Sequence, residues 1–292
     1  MKFSEALFRA SKKLLKAASS KIKARLEAES IMISVMGSTR EKLYISLGEE
    51  APESMMVRFK KAVRKRAQRF PLQLITGNEM FYGRNFTVKR GVLIPRQDSE
   101  ALIGAVLSRK GEISGGAIAA DIGAGSGILA VTLLKEMPKV SKFYCFDISA
   151  RALALTGINA ELHGVKGMTE AVKGDFLTLA ARLSLKFDFV VSNPPYIKKN
   201  GLKALQKEVS YDPKNALTDG SDGYSFYRKF AALCPALLKP NGFMAVEIGD
   251  RMGPGVRKIF LSAGWKFLYS FDDSSCRERA LVFLPPIKGF NL

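Results

Sequence analysis

AIAADIGAGSGILAVTLL, residues 117–134, reads as three pieces in a row: an apolar strand closing on Asp121, a turn rich in glycine, and an apolar helix. Glycine lets such a turn bend sharply and lets the backbone approach a ligand closely. Asp121, Gly123, Ala124, Gly125, Ser126 and Gly127 are therefore the candidate cofactor cradle. Alone, the pattern leaves alternatives open, because dinucleotide enzymes use a similar loop and some matches are only tight strand-to-helix turns.

Around this loop, strand-like apolar runs alternate with helical ones: Ala117–Ile122, Lys142–Phe146, Phe187–Ser192, Gly242–Ile248 and Ala280–Leu284. That alternation predicts an open α/β sheet with its ligand crevice at the carboxyl ends of the central strands. Asp147 closes the strand after the loop, where a carboxylate can accept both hydroxyls of a ribose while also serving the next helix as an N-cap. Ile148 beside it is assigned to the same ligand. Asp175 and Phe176, in GDF (174–176), follow a third strand and suit an adenine edge and face. A strand ending in Asp121, together with the motif below, favours S-adenosyl-L-methionine over a dinucleotide.

That motif is Asn193-Pro194-Pro195-Tyr196, at the mouth of a fourth strand. An amide or exocyclic amine has a delocalised lone pair and is a poor nucleophile unless its N–H groups are held. The Asn193 side-chain oxygen and the Pro194 carbonyl can each accept one such N–H, and the fixed φ of proline holds that carbonyl in place. Pro195 completes the turn, and Tyr196 can stack on the planar group. The four residues are the candidate catalytic set, and Asn193 also borders the cofactor. Catalysis of this kind is largely positioning, for which about 7–11 kcal/mol is available.

The chain carries 46 Lys+Arg against 27 Asp+Glu, which favours an anionic partner. Residues 1–70 hold 17 of these basic residues and 7 of the acidic ones. There, apolar residues at helical spacing predict an amphipathic helix over 5–30, with Leu7, Leu14, Leu15, Ala18, Ile22 and Leu26 on one face. A second helical block is expected from Ile31 to Leu47 and a third from Pro52 to Phe70. The run 57–69 (VRFKKAVRKRAQR) could meet phosphates, a ribosomal surface or an acidic protein, or simply be a solvated face. Residues 72–95 alternate in the manner of a β-hairpin. The expected organisation is thus 1–71 helical domain, 72–95 hairpin linker and 96–292 catalytic domain.

Cys145, Cys234 and Cys276 are far apart and indicate neither a disulfide framework nor a zinc knuckle. One histidine, His163, leaves no basis for a Ser-His-Asp triad or a multi-His metal centre. No metal is expected. No apolar run is long enough for a membrane span, and a cytoplasmic monomer is the expectation.

Several longer blocks carry a resemblance: PLQLITGNEMFYGRNFTV (71–88), VLIPRQDSE (92–100), NPPY (193–196), YDPKNALTDGSDGYSFYR (211–228) and EIG (247–249). With these the chain resembles the protein-(glutamine-N5) methyltransferases of the HemK/PrmC family, which act on peptide-chain release factors. The resemblance implies a seven-stranded Rossmann-like S-adenosylmethionine-dependent methyltransferase domain. A small all-helical N-terminal domain would dock the release factor, whose Gly-Gly-Gln glutamine enters over Asn193–Tyr196. Phe81 and Arg96 join those four as expected substrate-binding residues. Gln97, Asp212, Asp219 and Met252 depart from the family pattern. A glutamine methyltransferase of a large-subunit ribosomal protein, or an adenine-N6 or cytosine-N4 nucleic-acid methyltransferase, would use the same tetrad logic.

Overall fold

The computed structural model describes residues 1–176 and 185–286; residues 177–184 and 287–292 of the expected catalytic domain lie outside it. The chain divides into two compact units. One comprises Met1–Asn78, Val88–Arg90 and Leu205–Tyr211, and the other Glu79–Thr87, Gly91–Ala204 and Asp212–Leu292.

The helical unit contains α1 (Phe3–Leu14), α2 (Lys21–Met36), α3 (Arg40–Ile45), α4 (Glu53–Ala67) and α5 (Leu72–Thr76). The one amphipathic helix expected over 5–30 is in fact two. Ser20 caps α2 by accepting a hydrogen bond from the Lys23 amide, 3.1 Å away. The non-helical residues before it reset the helical phase, so α2 buries Ala24, Ala28, Ile31 and Met32. Leu15, Ile22 and Leu26, expected on the apolar face, are exposed instead. The boundary expected at Ile31 falls at Gly37, which closes α2 with a left-handed φ of 60°.

The run 57–69 is only partly a solvated face. Arg66 is 5% exposed, and its Nε and Nη2 donate to the two carboxylate oxygens of Glu27 at 2.7 and 3.0 Å. Its Nη1 reaches Glu208, which also accepts from Arg69. Segment 205–211 is thereby fastened within the helical unit, where Tyr211 packs edge-on against Phe70, ring centroids 4.9 Å apart. Arg58, Lys60, Lys61 and Arg64 remain exposed.

In the other unit, β1 (Asn78–Phe81) and β2 (Arg84–Thr87) make the hairpin, turned at Tyr82 and Gly83, both with positive φ. It starts later than residue 72 because 72–76 is helical, and it is not a free-standing linker. Phe81 and Phe86 are buried in the same core cluster as the sheet's Phe143 and Phe189.

The main sheet has seven strands. Besides β3 (Ala117–Ile122) it contains β4 (Val140–Asp147), β5 (Thr169–Lys173), β6 (Phe187–Ser192), β7 (Leu238–Glu247), β8 (Lys266–Asp272) and β9 (Glu278–Leu284). Their order is β5-β4-β3-β6-β7-β9-β8, with β9 antiparallel to both neighbours and the other pairs parallel. Alternate residues feed two separate cores: Phe143, Cys145, Phe189 and Val191 enter one, and Phe146, Val190, Met244 and Leu281 the other. Both faces are therefore covered, as a largely parallel sheet requires. Strand order reverses between β3 and β6, which sets the carboxyl end of β3 beside that of β6. Cys145, Cys234 and Cys276 are all free thiols.

Candidate active site

At this switch point the Ser192 hydroxyl donates to the Ile122 carbonyl at 2.7 Å, joining the strand ends that carry the glycine loop and the tetrad. A cavity of about 280 Å³ opens there. Of the residues singled out in the sequence, Gly123, Ala124, Gly125, Ser126, Asp147, Ile148, Asp175, Phe176, Asn193, Pro194, Pro195 and Arg96 line it.

The glycine loop is held from two sides. Asp147 Oδ2 accepts from the Gly125 amide at 3.0 Å, and Oδ1 accepts from the Ser149 amide at 2.8 Å. Each oxygen keeps a further lone pair. On the other side Asn159 is fully buried; its Nδ2 donates to the Ser126 and Thr87 carbonyls while its Oδ1 accepts from the Thr87 amide. Gly127 lies outside the cavity lining and serves packing: a Cβ there would stand 2.8 Å from Thr156 Cγ2 and 3.1 Å from its Cα.

Two further assigned residues are placed elsewhere. Phe81, expected at the substrate, is 1% exposed and packs edge-on against Phe86, because its hairpin face points into the core. Asp121, expected at the cofactor, is wholly buried one residue before the pocket-lining Ile122, with neither carboxylate oxygen partnered. Burial, with the Asp147 charge adding to it, pushes its carboxyl up to about 8.

Tyr196 is also outside the cavity lining. Its ring leaves no room for a side chain at Gly249, where a Cβ would meet Tyr196 Cδ2 at 2.9 Å, and a Cβ at Gly223 would strike the Tyr196 carbonyl oxygen at 2.4 Å. Its hydroxyl donates to Glu247 Oε1 at 3.1 Å. Glu247 Oε2 accepts from the Ser99 hydroxyl at 2.5 Å, and Ser99 Oγ accepts from Asn193 Nδ2 at 3.0 Å. Burial pushes the Glu247 carboxyl up to about 7 against the pull of these hydroxyls. The sequence reading left Ser99 and Glu247 unassigned, although both lie in quoted blocks, IPRQDSE and EIG. The loop before Ser99 is fixed by Asp212, whose Oδ1 accepts from the Ile94 amide and which pairs with Arg96. Among the described residues no cluster of side chains could hold a metal ion, and no helix is long and apolar enough to cross a membrane.

Residues 5–77 match the PrmC N-terminal domain and residues 99–230 the methyltransferase small domain. Over 240 residues the chain is 38% identical to the release factor glutamine methyltransferase of Moorella thermoacetica, covering 82% of this chain and 83% of that protein. The chain belongs to the release factor glutamine methyltransferase family. The family's enzyme from Geobacter sulfurreducens is 36% identical over 259 residues, 88% of each chain. A methyltransferase of Pyrococcus furiosus shares the fold, with a TM-score of 0.50 and 18% identity over 70% of this chain and 91% of that one. The chain is thus a methyltransferase with S-adenosyl-L-methionine as its cofactor.

The cavity fits that cofactor. Asp147 and Asp175 offer carboxylates, Ile148 and Phe176 apolar surface, and Gly123 and Gly125 backbone without a Cβ in the way.

Proposed function

We propose that this chain methylates the side-chain amide nitrogen of a glutamine in peptide-chain release factors. The observation that carries the reading is the Asn193 amide: its nitrogen arm is committed to Ser99 while the residue lines the cavity next to Pro194 and the glycine loop. Its oxygen is then the arm that accepts a substrate N–H, and the Pro194 carbonyl accepts the second. Two acceptors orient a planar NH2 group without protonating it. S-adenosyl-L-methionine supplies the electrophilic methyl group on a sulfonium. No general base is needed in the pocket, since the methylated amide is acidified by the transfer and its proton can leave to water. Tyr196, anchored by Glu247, backs the Asn-Pro-Pro turn.

The release-factor substrate is supported by the matched PrmC N-terminal domain and by relatives that carry that activity in their names. The exposed Arg58, Lys60, Lys61 and Arg64 suit an anionic surface on the substrate or the ribosome, and screening by salt should weaken association through them. Radiolabelled methyl transfer to a release factor, a large-subunit ribosomal protein, RNA and DNA, assayed side by side, tests the reading. Label should enter the release factor, and preferential label in any other acceptor would replace this substrate.

Within the same reading Asp147 holds the cofactor's ribose. Asp147→Ala should weaken cofactor binding by roughly 1.5–3 kcal/mol for each charged hydrogen bond lost. It also removes the acceptor of the Gly125 amide. Asp147→Asn, which keeps one acceptor oxygen, should fall between the two in calorimetry. An unchanged dissociation constant in both variants would remove Asp147 from the cofactor site.

A further inference from the structure

The chain of hydrogen bonds behind Asn193 has a direction. An ionised carboxylate only accepts, so Glu247 takes one proton from the Ser99 hydroxyl and one from Tyr196. A serine hydroxyl has a single proton. With that proton turned to Glu247, Ser99 Oγ can only accept, and the arm of the Asn193 amide that faces it must be the NH2. Oδ1 is left as the other arm. We propose that Glu247, acting through Ser99, is a positioning residue whose charge decides which atom of the Asn193 amide is presented to the substrate, an inference that rests on the amide-binding role of Asn193.

The reverse state follows from the same geometry. A protonated Glu247 donates to Ser99 Oγ, which frees the serine proton for Asn193. The amide then turns its oxygen to Ser99 and its NH2 to the substrate's NH2, donor against donor.

The groups facing Glu247 make this switch accessible. The hydroxyls of Ser99 and Tyr196 and the positive charge of Arg279 favour the carboxylate, while burial and Asp98 oppose it. Arg279 is itself divided between Asp273 and Asp98, at 3.1 and 3.2 Å. Tyr227, from the helix Ser225–Leu233, spends its hydroxyl on the Glu247 backbone carbonyl at 2.8 Å and leaves the carboxylate alone. The balance places the carboxyl at about 7.

The test has two arms. In single-turnover methylation of a release factor by the cofactor-loaded enzyme, the rate should fall about tenfold per pH unit below the carboxyl's midpoint, with little change in KM. Ser99→Ala should lose at least tenfold in kcat and lose the acid limb, keep its cofactor affinity, and be rescued in both by Ser99→Thr. If Ser99→Ala does not fold, Glu247→Gln, which cannot titrate, serves the same purpose and should lack the acid limb.

The second arm needs no substrate. In enzyme labelled with [15N]asparagine, the Asn193 side-chain NH2 resonance, assigned by its loss in Asn193→Ala, should move with pH about a midpoint near 7, and should stop moving in Glu247→Gln. A wild-type acid limb in Glu247→Gln, or an Asn193 NH2 resonance indifferent to pH, overturns the proposal. No methyl transfer at any pH, with the resonance still titrating, instead overturns the substrate reading and leaves the switch standing.

Discussion

Asn193→Ala is expected to slow the chemical step by about 10²- to 10³-fold, the loss of about 2.7–4 kcal/mol that follows removal of one positioned polar group facing a transition state. Cofactor affinity should stay close to that of the unaltered enzyme, because the glycine loop is held by Asp147 and Asn159 independently of the tetrad. Asn193→Asp is the sharper variant. Its second oxygen would face Ser99 Oγ, whose proton already belongs to Glu247, so two carboxylates would compete for one hydroxyl. A new negative charge also stabilises the sulfonium ground state more than a transition state in which that charge is dispersing. Single-turnover kinetics on both variants checks this, and rates near the unaltered enzyme's in both would make the tetrad a structural turn.

Arg66→Ala carries the largest expected cost to stability, about 3–5 kcal/mol, because it strands charge that is buried or half-buried. Glu27 is 5% exposed and takes both of its strong hydrogen bonds from Arg66. Glu208 would keep Arg69 alone. Arg66→Lys should recover little, since one ammonium cannot reproduce a planar fork that meets Glu27 with two nitrogens and Glu208 with a third. Arg64→Ala, two positions earlier on the exposed side, should change stability by no more than about 0.5 kcal/mol. Urea denaturation of the three variants separates them, and equal midpoints for Arg66→Ala and Arg64→Ala would show that the buried network contributes nothing.

The catalytic fold was legible where burial on both faces leaves a continuous apolar run. Ala117–Ile122 and Phe187–Ser192 match the expected strands residue for residue. Strand β8 was not singled out: Phe267, Leu268, Tyr269 and Phe271 do not alternate with polar residues, and at the sheet edge they are only partly buried or exposed. In the helical unit the apolar period was correct, but over 5–30 its phase was not: a short break before Lys21 resets the face of the second helix, and period alone does not reveal a break. The tetrad was legible as local chemistry. Its support was not, because Ser99, Asn193 and Glu247 meet only after strands far apart in sequence are brought together. For the same reason Arg66 read as one more cation on a basic helix, although its partner Glu208 lies 142 residues away. Phe81 was misplaced because an aromatic residue in a hairpin beside a site looks the same in sequence whether it faces ligand or core.

Locating the transferred methyl group by mass spectrometry tests the central claim most directly. After incubation of the enzyme and S-adenosyl-L-methionine with a purified release factor, fragmentation of its peptides should place one methyl group on the side chain of one glutamine, in the Gly-Gly-Gln motif. None should appear when that glutamine is replaced by glutamate or when the enzyme carries Asn193→Ala. A methyl group on a lysine, an arginine or a carboxylate, or methylation of the release factor that persists without the glutamine, would contradict the account.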